Sequence, residues 1–503
     1  MTQQSNENDR AGTGVPGLDY ILRGGLPRGW TYLVQGAAGT GKTTLALNFL
    51  REAVRAGESA LYVTLMQSRQ ELQETADSHG WDLDGIQFLE LPEGVRRRAA
   101  TEQTVYPPGE VELTEVTKAI LDGIREHEAD RLVLDSFSQL AVLAATSQQL
   151  RSPMLRVKEL LRGKGCTALV ICGNLELGGA QLETIVHGAI KLEMTFPGYG
   201  RHRRRLRVSK MRAMEFLGGY HDFRIRTGGL EVFPRLEPDH RGKPNEWTTI
   251  ASGISEVDEM LGGGLEEGTT CLIAGTSGAG KSTLATLYAE AAAKRGDRSA
   301  IFCFDERKET FLRRAESLNM KMPDYIEQGL VDLHQIAAGE MSAGQFAHAV
   351  RRAVENDRAR VVVIDSVSGY INAMLEQELL DTQLHELMAY LGDAGVLTLV
   401  LMATHAMRIE QPDPLEASYI ADTVVLLRHF EAFGRMRRCI AVVKKRYGVH
   451  ETAIREFHIA PGGCRVGRPL TEFSGILTGQ PTFTGEPAEL MERGPENGDD
   501  GGG

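Results

Sequence analysis

Two stretches of the chain carry the residue types of a phosphate cradle. Gly36-Ala37-Ala38-Gly39-Thr40-Gly41-Lys42-Thr43 and Gly275-Thr276-Ser277-Gly278-Ala279-Gly280-Lys281-Ser282 both read G-x4-G-K-[ST], and Thr44 and Thr283 follow them. In such a loop the glycines let successive backbone N–H groups wrap phosphate oxygens, the lysine reaches the β and γ oxygens, and Thr43 or Ser282 can ligate Mg2+. The helix that follows adds its N-terminal dipole. A single match could be an accidental glycine turn. Two in register, each between a strand and a helix, point to two nucleotide sites with ATP and Mg2+ as ligands. Each loop is followed later by an apolar strand ending in an acid and a serine, Leu132-Val133-Leu134-Asp135-Ser136 and Val362-Val363-Ile364-Asp365-Ser366. Asp135 and Asp365 are therefore the expected metal carboxylates.

The two halves differ where a base would sit. The strand Ala300–Phe304 runs into Asp305-Glu306, and a carboxylate just past a strand end beside a phosphate loop is placed to orient or deprotonate an attacking water or hydroxyl. The corresponding positions of the first half hold Met66 and Gln67. Glutamine can orient water but cannot take up a proton at neutral pH. The first half is thus expected to bind ATP and turn it over slowly, and the second to carry the chemistry through Asp305 and Glu306. The plainer reading of the acids is a solvated helix start.

A third pattern, R-x5-K-x-R, occurs late in each half as Arg204, Lys210, Arg212 and as Arg438, Lys444, Arg446. Cations at identical spacing on a strand, far in sequence from their own loop, suit phosphate contacts given to a neighbouring subunit. Such a contact can be worth about 10³-fold in rate, and a head-to-tail interface of this kind closes into a ring. A basic strand edge that discourages pairing is the alternative.

These side chains must be positioned by a duplicated framework. Thr13-Gly14-Val15-Pro16-Gly17-Leu18-Asp19 recurs as Ser252-Gly253-Ile254-Ser255-Glu256-Val257-Asp258, Gly24-Gly25-Leu26 as Gly263-Gly264-Leu265, and both repeats share the spacing of the two glycine loops. Apolar strands at Thr31–Val34, Ala60–Thr64, Arg131–Asp135 and Ala168–Cys172 alternate with helical stretches such as Thr43–Ala56. Thr270–Ala274, Ala300–Phe304, Val361–Asp365 and Leu397–Met402 repeat them. The pattern predicts an α/β fold, each half a mostly parallel sheet flanked by helices. The organisation read from it is a disordered start over 1–12, domains over 13–240 and 241–483 joined through a polar, proline-containing linker, and an acidic disordered tail over 484–503.

Composition excludes other classes. Lys and Arg total 56 against 68 Asp and Glu, a net charge of −12, which argues against a whole-surface nucleic-acid binder. The six cysteines show no paired metal spacing and lie mostly in apolar runs, as buried thiols of a reducing compartment do. The polar start lacks the apolar core of a signal peptide, and no stretch is long and apolar enough to span a membrane. A cytoplasmic location is expected.

With these motifs in place the chain resembles the KaiC family: tandem RecA-like P-loop NTPase domains of a clock ATPase and autokinase and its many non-clock relatives. The resemblance covers roughly residues 13 to 480. It is carried by T-G-[IV]-x-G-[LF]-D, G-G-[GL], the phosphate loops and the strand-end D-S, and most specifically by Ile420–Leu427, Ala453–Phe457 and Gly475–Pro481. It implies a homo-hexameric, two-tiered ring with ATP at subunit interfaces, and paired acids after the second strand as catalytic groups, matched here by Asp305-Glu306 alone. It also implies serine phosphorylation just before the I-x-D-T segment. That position is Ser418, with Glu306 as the base across the interface; Tyr419 departs from the family's Ser-Thr pair, and an ordinary loop serine is the alternative for Ser418. The loop Pro92–Pro108 contains Arg96-Arg97-Arg98 where the family's partner KaiB docks, and the tail is short and acidic where KaiA binds, so neither partner is supported. A non-clock homologue signalling to an unknown protein is the reading reached. A nucleotide-gated scaffold with little turnover and a RecA-type DNA-binding ATPase are the alternatives.

Overall fold

Apolar runs bounded by glycine and charged turns form a nine-stranded sheet in each half. The computed structural model describes residues 9–91, 110–144, 146–173, 179–196, 201–237, 248–337, 339–374, 380–404, 421–477 and 481–483. Ser418, the loop Pro92–Pro108, the start up to residue 8 and the tail from 484 lie outside these residues. The chain divides into two units, Met1–Arg235 and Leu236–Gly503. Each side of this junction has its own anchor. The Arg235 amide donates to Nδ1 of His221 in the first unit, while Leu236 is buried in the apolar core of the second.

In the first unit the main strands are β1 (Thr31–Gly36), β2 (Ala60–Thr64), β3 (Ile86–Glu90), β4 (Arg131–Asp135), β5 (Thr167–Cys172), β6 (Gly188–Thr195), β7 (Arg203–Met211), β8 (His221–Arg226) and β9 (Gly229–Phe233). Their order in the sheet is β9-β8-β7-β6-β1-β5-β4-β2-β3. The stretch from β6 to β3 is parallel, and β6 to β9 is an antiparallel meander.

The second unit repeats this with β10 (Thr270–Gly275), β11 (Arg298–Cys303), β12 (Val331–Gln335), β13 (Ala359–Asp365), β14 (Leu397–Ala403), β15 (Thr423–Ala432), β16 (Arg435–Lys445), β17 (Arg455–Ala460) and β18 (Gly463–Pro469). Its order, β18-β17-β16-β15-β10-β14-β13-β11-β12, is that of the first unit strand for strand. Both units are thus RecA-like α/β domains.

The parallel strands at the centre of each sheet are buried on both faces, so they read as unbroken apolar runs rather than as alternating ones. Tyr32 and Val34 of β1 pack into one core and the intervening Leu33 into the other. In β10, Cys271 and Ile273 face one core and Leu272 and Ala274 the other. All six cysteines are free and buried. Arg10–Ala11, expected to be unstructured, pairs with Leu26–Pro27 because Ala11 is fully buried. Among the described residues, no helix is long and apolar enough to cross a membrane.

Candidate functional site

The central strand of each sheet delivers its loop to the carboxyl edge, where open α/β sheets bind ligands. In the first unit β1 ends at Gly36, and the helix Lys42–Arg55 starts from Gly41 in the left-handed region at φ 101°. A Cβ on Gly36 would stand 2.5 Å from the Leu192 carbonyl oxygen, so only glycine lets the loop lie this close to β6. Lys42 Nζ donates to the Ala37 carbonyl of its own loop at 2.7 Å. Burial lowers its pKa, with Asp135 opposing. Thr43 donates to Asp135 Oδ2 at 3.2 Å, and the buried phenol of Tyr62 donates to the same oxygen at 2.6 Å. Burial pushes the Asp135 carboxyl up against both hydrogen bonds.

The second pocket has the same frame and different chemistry. β10 ends at Gly275, where a Cβ would meet the Leu427 carbonyl oxygen at 2.1 Å, and the helix Lys281–Lys294 starts from Gly280 at φ 109°. Lys281 Nζ donates to the carbonyls of Gly275 and Thr276, both at 2.9 Å, and burial lowers its pKa against the pull of Asp365. Thr44 and Thr283 are buried one position further along the two helices. Asp365 accepts from Ser282; burial raises its pKa, and Glu306 and Asp305 add to the rise while Arg314 opposes it. Parallel pairing sets Cys303 against Asp365, and the Phe304 amide donates to the Asp365 carbonyl at 2.7 Å. The chain therefore leaves β11 beside Asp365 and carries Asp305 and Glu306 there. Asp305 Oδ2 accepts from Ser366 at 2.7 Å, and both oxygens of Glu306 are taken by Arg314. At the same place in the first unit Met66 is exposed and accepts from Gln139. The peptide bond joining acid to serine is cis in both units.

These residues fit a triphosphate on two observations. At Gly36, Gly41, Gly275 and Gly280 a Cβ would clash with what packs against the loop, and each partly desolvated lysine ammonium is held among carbonyl oxygens of the loop, a cation placed where an anion would sit. Thr43 with Asp135, and Ser282 with Asp365, are the groups that could hold Mg2+.

The structure splits the late cations. Arg204 and Arg438 lie against their own loops, donating to the Gly39 carbonyl at 3.3 Å and the Gly278 carbonyl at 3.1 Å. Lys210 and Arg212 are at the other end of β7, bonded to the carbonyls that end the helix Gly179–Ile185. Lys444 donates to the Ala421 carbonyl at 2.9 Å, and Arg446 pairs with Asp422 at 3.3 Å. Six residues of strand separate Arg204 from Lys210, about 20 Å at ~3.3 Å each. One triphosphate in the same unit therefore cannot be met by all three.

Four side chains at the pockets have no counterpart in the motif reading. Tyr62 looks like a core tyrosine on a strand, and Arg314 like a solvated helix arginine. Thr276 and His429 bond each other at 2.9 Å across the second loop, where burial, then Arg438 and Lys281, lower the histidine pKa. Comparison of the two copies is the signal that finds the last two, because the first unit has Ala37 and Met194 at their positions.

Comparison with known proteins agrees with this geometry. The family described as "ATPase: KaiC" matches residues 11–237 and 250–471, one copy in each unit. The chain is 26% identical to the circadian clock protein KaiC3 of Synechocystis sp., over 97% of both chains. It is 28% identical to the circadian clock oscillator protein KaiC of Acaryochloris marina, over 93% of this chain and 91% of that one. Against the protein of the same description from Synechococcus elongatus it is 27% identical over 99% of both. With two family domains filling most of its length and a phosphate loop in each, the chain belongs to the KaiC family of ATPases.

Proposed function

We propose that the protein assembles as a homo-hexameric ring with ATP at the junctions between protomers, that its second domain hydrolyses ATP, and that the same pocket phosphorylates Ser418. Nucleotide and phosphorylation state would then set a conformation that a signalling partner reads. The observation that carries this reading is the pair Asp305-Glu306 beside Asp365, replaced by Met66-Gln67 in an otherwise matching frame.

In this reading the N–H groups from Gly275 to Gly280 and the Lys281 ammonium hold the triphosphate. Ser282 and Asp365 would hold Mg2+, which when bound neutralises charge on the β and γ oxygens. Glu306 orients the attacking water and takes its proton as the oxygen bonds to the γ-phosphorus and ADP leaves. For phosphoryl transfer the Ser418 hydroxyl replaces water and gives its proton to Glu306. The first pocket retains the cradle and lacks a base, which suits tight nucleotide binding that holds the assembly together. Lys444 and Arg446, too far from their own loop, serve the neighbouring protomer's second pocket, and Lys210 and Arg212 the neighbour's first. Arg204 and Arg438 steady the loops of their own units. Mass determination in solution should give a hexamer with ATP and smaller species without it; a monomer in both conditions removes every contact between protomers. Intact-mass analysis after incubation with Mg-ATP should show an added phosphate that Ser418→Ala abolishes; an unchanged mass leaves hydrolysis alone.

A further inference from the structure

Glu306 is held by one side chain that the family motifs do not include. Arg314 Nε donates to Glu306 Oε1 at 3.2 Å and Nη2 to Oε2 at 2.9 Å, the two-pronged geometry in which a planar guanidinium fixes the plane of a carboxylate. Arg314 sits on the helix Lys308–Ser317, one turn beyond Phe311, which is buried. Side chains on a helix lean toward its N-terminus. The guanidinium accordingly lies over the Phe311 ring, 5.0 Å from its centre, and points back to the strand end from which Glu306 emerges. Both members of the pair are only about one-fifth exposed, and Nη1 of Arg314 is buried without a hydrogen-bond partner among the described residues.

The first unit serves as an internal control. Its helix Arg69–Ser78 matches Lys308–Ser317 in length and spacing, and its inner face is kept, with Leu72 at the place of Phe311 and Ala76 at that of Ala315, all four buried. On this unchanged scaffold, Glu306 has become Gln67 and Arg314 has become Thr75. Thr75 turns back to donate to the Glu71 carbonyl of its own helix and leaves the strand end alone. The arginine is present where the acid is present and gone where the acid is gone.

We propose that Arg314 is a positioning residue for the base of the second pocket: it fixes the orientation of the Glu306 carboxylate toward the attacking water or hydroxyl, without touching the nucleotide. Two of the carboxylate's roughly four lone-pair sites are used by the guanidinium, and the others remain open to accept a proton. This inference rests on the reading of Glu306 as the base.

The test uses the full-length chain with Arg314→Thr, which installs the residue of the first copy, Arg314→Lys, Glu306→Gln and the double variant Glu306→Gln/Arg314→Thr. ATP turnover gives kcat and KM for each, with thermal unfolding as the check on folding. Arg314→Thr is expected to lower kcat about 10- to 100-fold at nearly unchanged KM, as misplacement of a catalytic group does. Arg314→Lys, with one point of attachment in place of two, recovers part of the loss and serves as the informative variant if Arg314→Thr does not fold. In the Glu306→Gln background Arg314→Thr is expected to change nothing further, because its effect passes through the carboxylate. An equal loss in both backgrounds, a raised KM at unchanged kcat, or an Arg314→Thr enzyme as fast as the wild type overturns the inference. Normal turnover by Glu306→Gln alone overturns instead the reading on which it rests.

Discussion

Two inactive variants should restore each other, and the amount restored follows from the arrangement of the strands. Lys281→Ala removes the lysine of the second loop, and Lys444→Ala/Arg446→Ala removes the cations at the far end of β16. Arg438 bonds the Gly278 carbonyl of its own loop, and about 20 Å of strand lies between it and Lys444 at ~3.3 Å per residue. Lys444 therefore cannot reach the phosphate held by its own chain. If it serves a neighbour, each variant alone loses on the order of 10³-fold in turnover. In a ring assembled from equal amounts of both, about a quarter of the junctions join an intact loop to intact cations when the order is random. The assay is steady-state ATP hydrolysis by the two proteins mixed as ATP-free subunits and then assembled with ATP, with native mass spectrometry confirming mixed rings. A rate near a quarter of wild type is expected. Mixed rings with no more activity than the separate variants would refute an interface site, and full activity of Lys444→Ala/Arg446→Ala alone would refute any role for these cations.

Further outcomes follow from the buried acids. Tyr62→Phe deletes a hydrogen bond to the buried Asp135 carboxylate, so the ATP-free protein should lose about 1.5–3 kcal/mol, at roughly 2–4 °C in melting temperature per kcal/mol for a domain of this size; an unchanged melting curve would contradict the bond. Asp19, whose carboxylate accepts from the Thr13 amide at 2.8 Å, has its pKa raised from 3.8 to about 6, chiefly by burial. The folded state thus holds this proton more tightly than the unfolded chain does, and the group's contribution falls as pH rises from about 4 to about 6. Asp19→Asn keeps an acceptor and removes the buried charge. It should be the more stable protein above pH 6, by on the order of 2–3 kcal/mol, and should converge with wild type near pH 4. A difference independent of pH, or a less stable variant at pH 7.5, would refute it.

Much of the frame was legible because repetition is a strong signal. Two glycine loops in register, two strand-end acids and two runs of apolar strands fixed the fold class, and the substitution of Asp305-Glu306 by Met66-Gln67 stood out against them. What stayed hidden depended on the register between strands. The spacing of Arg204, Lys210 and Arg212 suggested one shared role, but only pairing shows that Arg204 stands opposite Met194 near the loop while Lys210 stands opposite Ala189 at the other edge. Tyr62 and Arg314 were invisible for another reason. A tyrosine on a core strand and an arginine on an amphipathic helix are unremarkable in sequence, and each acquires meaning from the carboxylate it meets in space. Arg10–Ala11 falls in the polar start over 1–12 that the sequence predicts to be disordered, although one buried alanine suffices to seat a short strand.

The central claim is that the second domain does the chemistry while the first holds nucleotide. Steady-state ATP hydrolysis by Glu306→Gln, measured beside Lys42→Ala at protein concentrations where both are assembled, tests it directly. Turnover of Glu306→Gln should fall about 100-fold or more, while Lys42→Ala should keep most of its rate per assembled protomer and need more ATP to assemble. Loss of turnover in Lys42→Ala with normal turnover in Glu306→Gln would contradict the account.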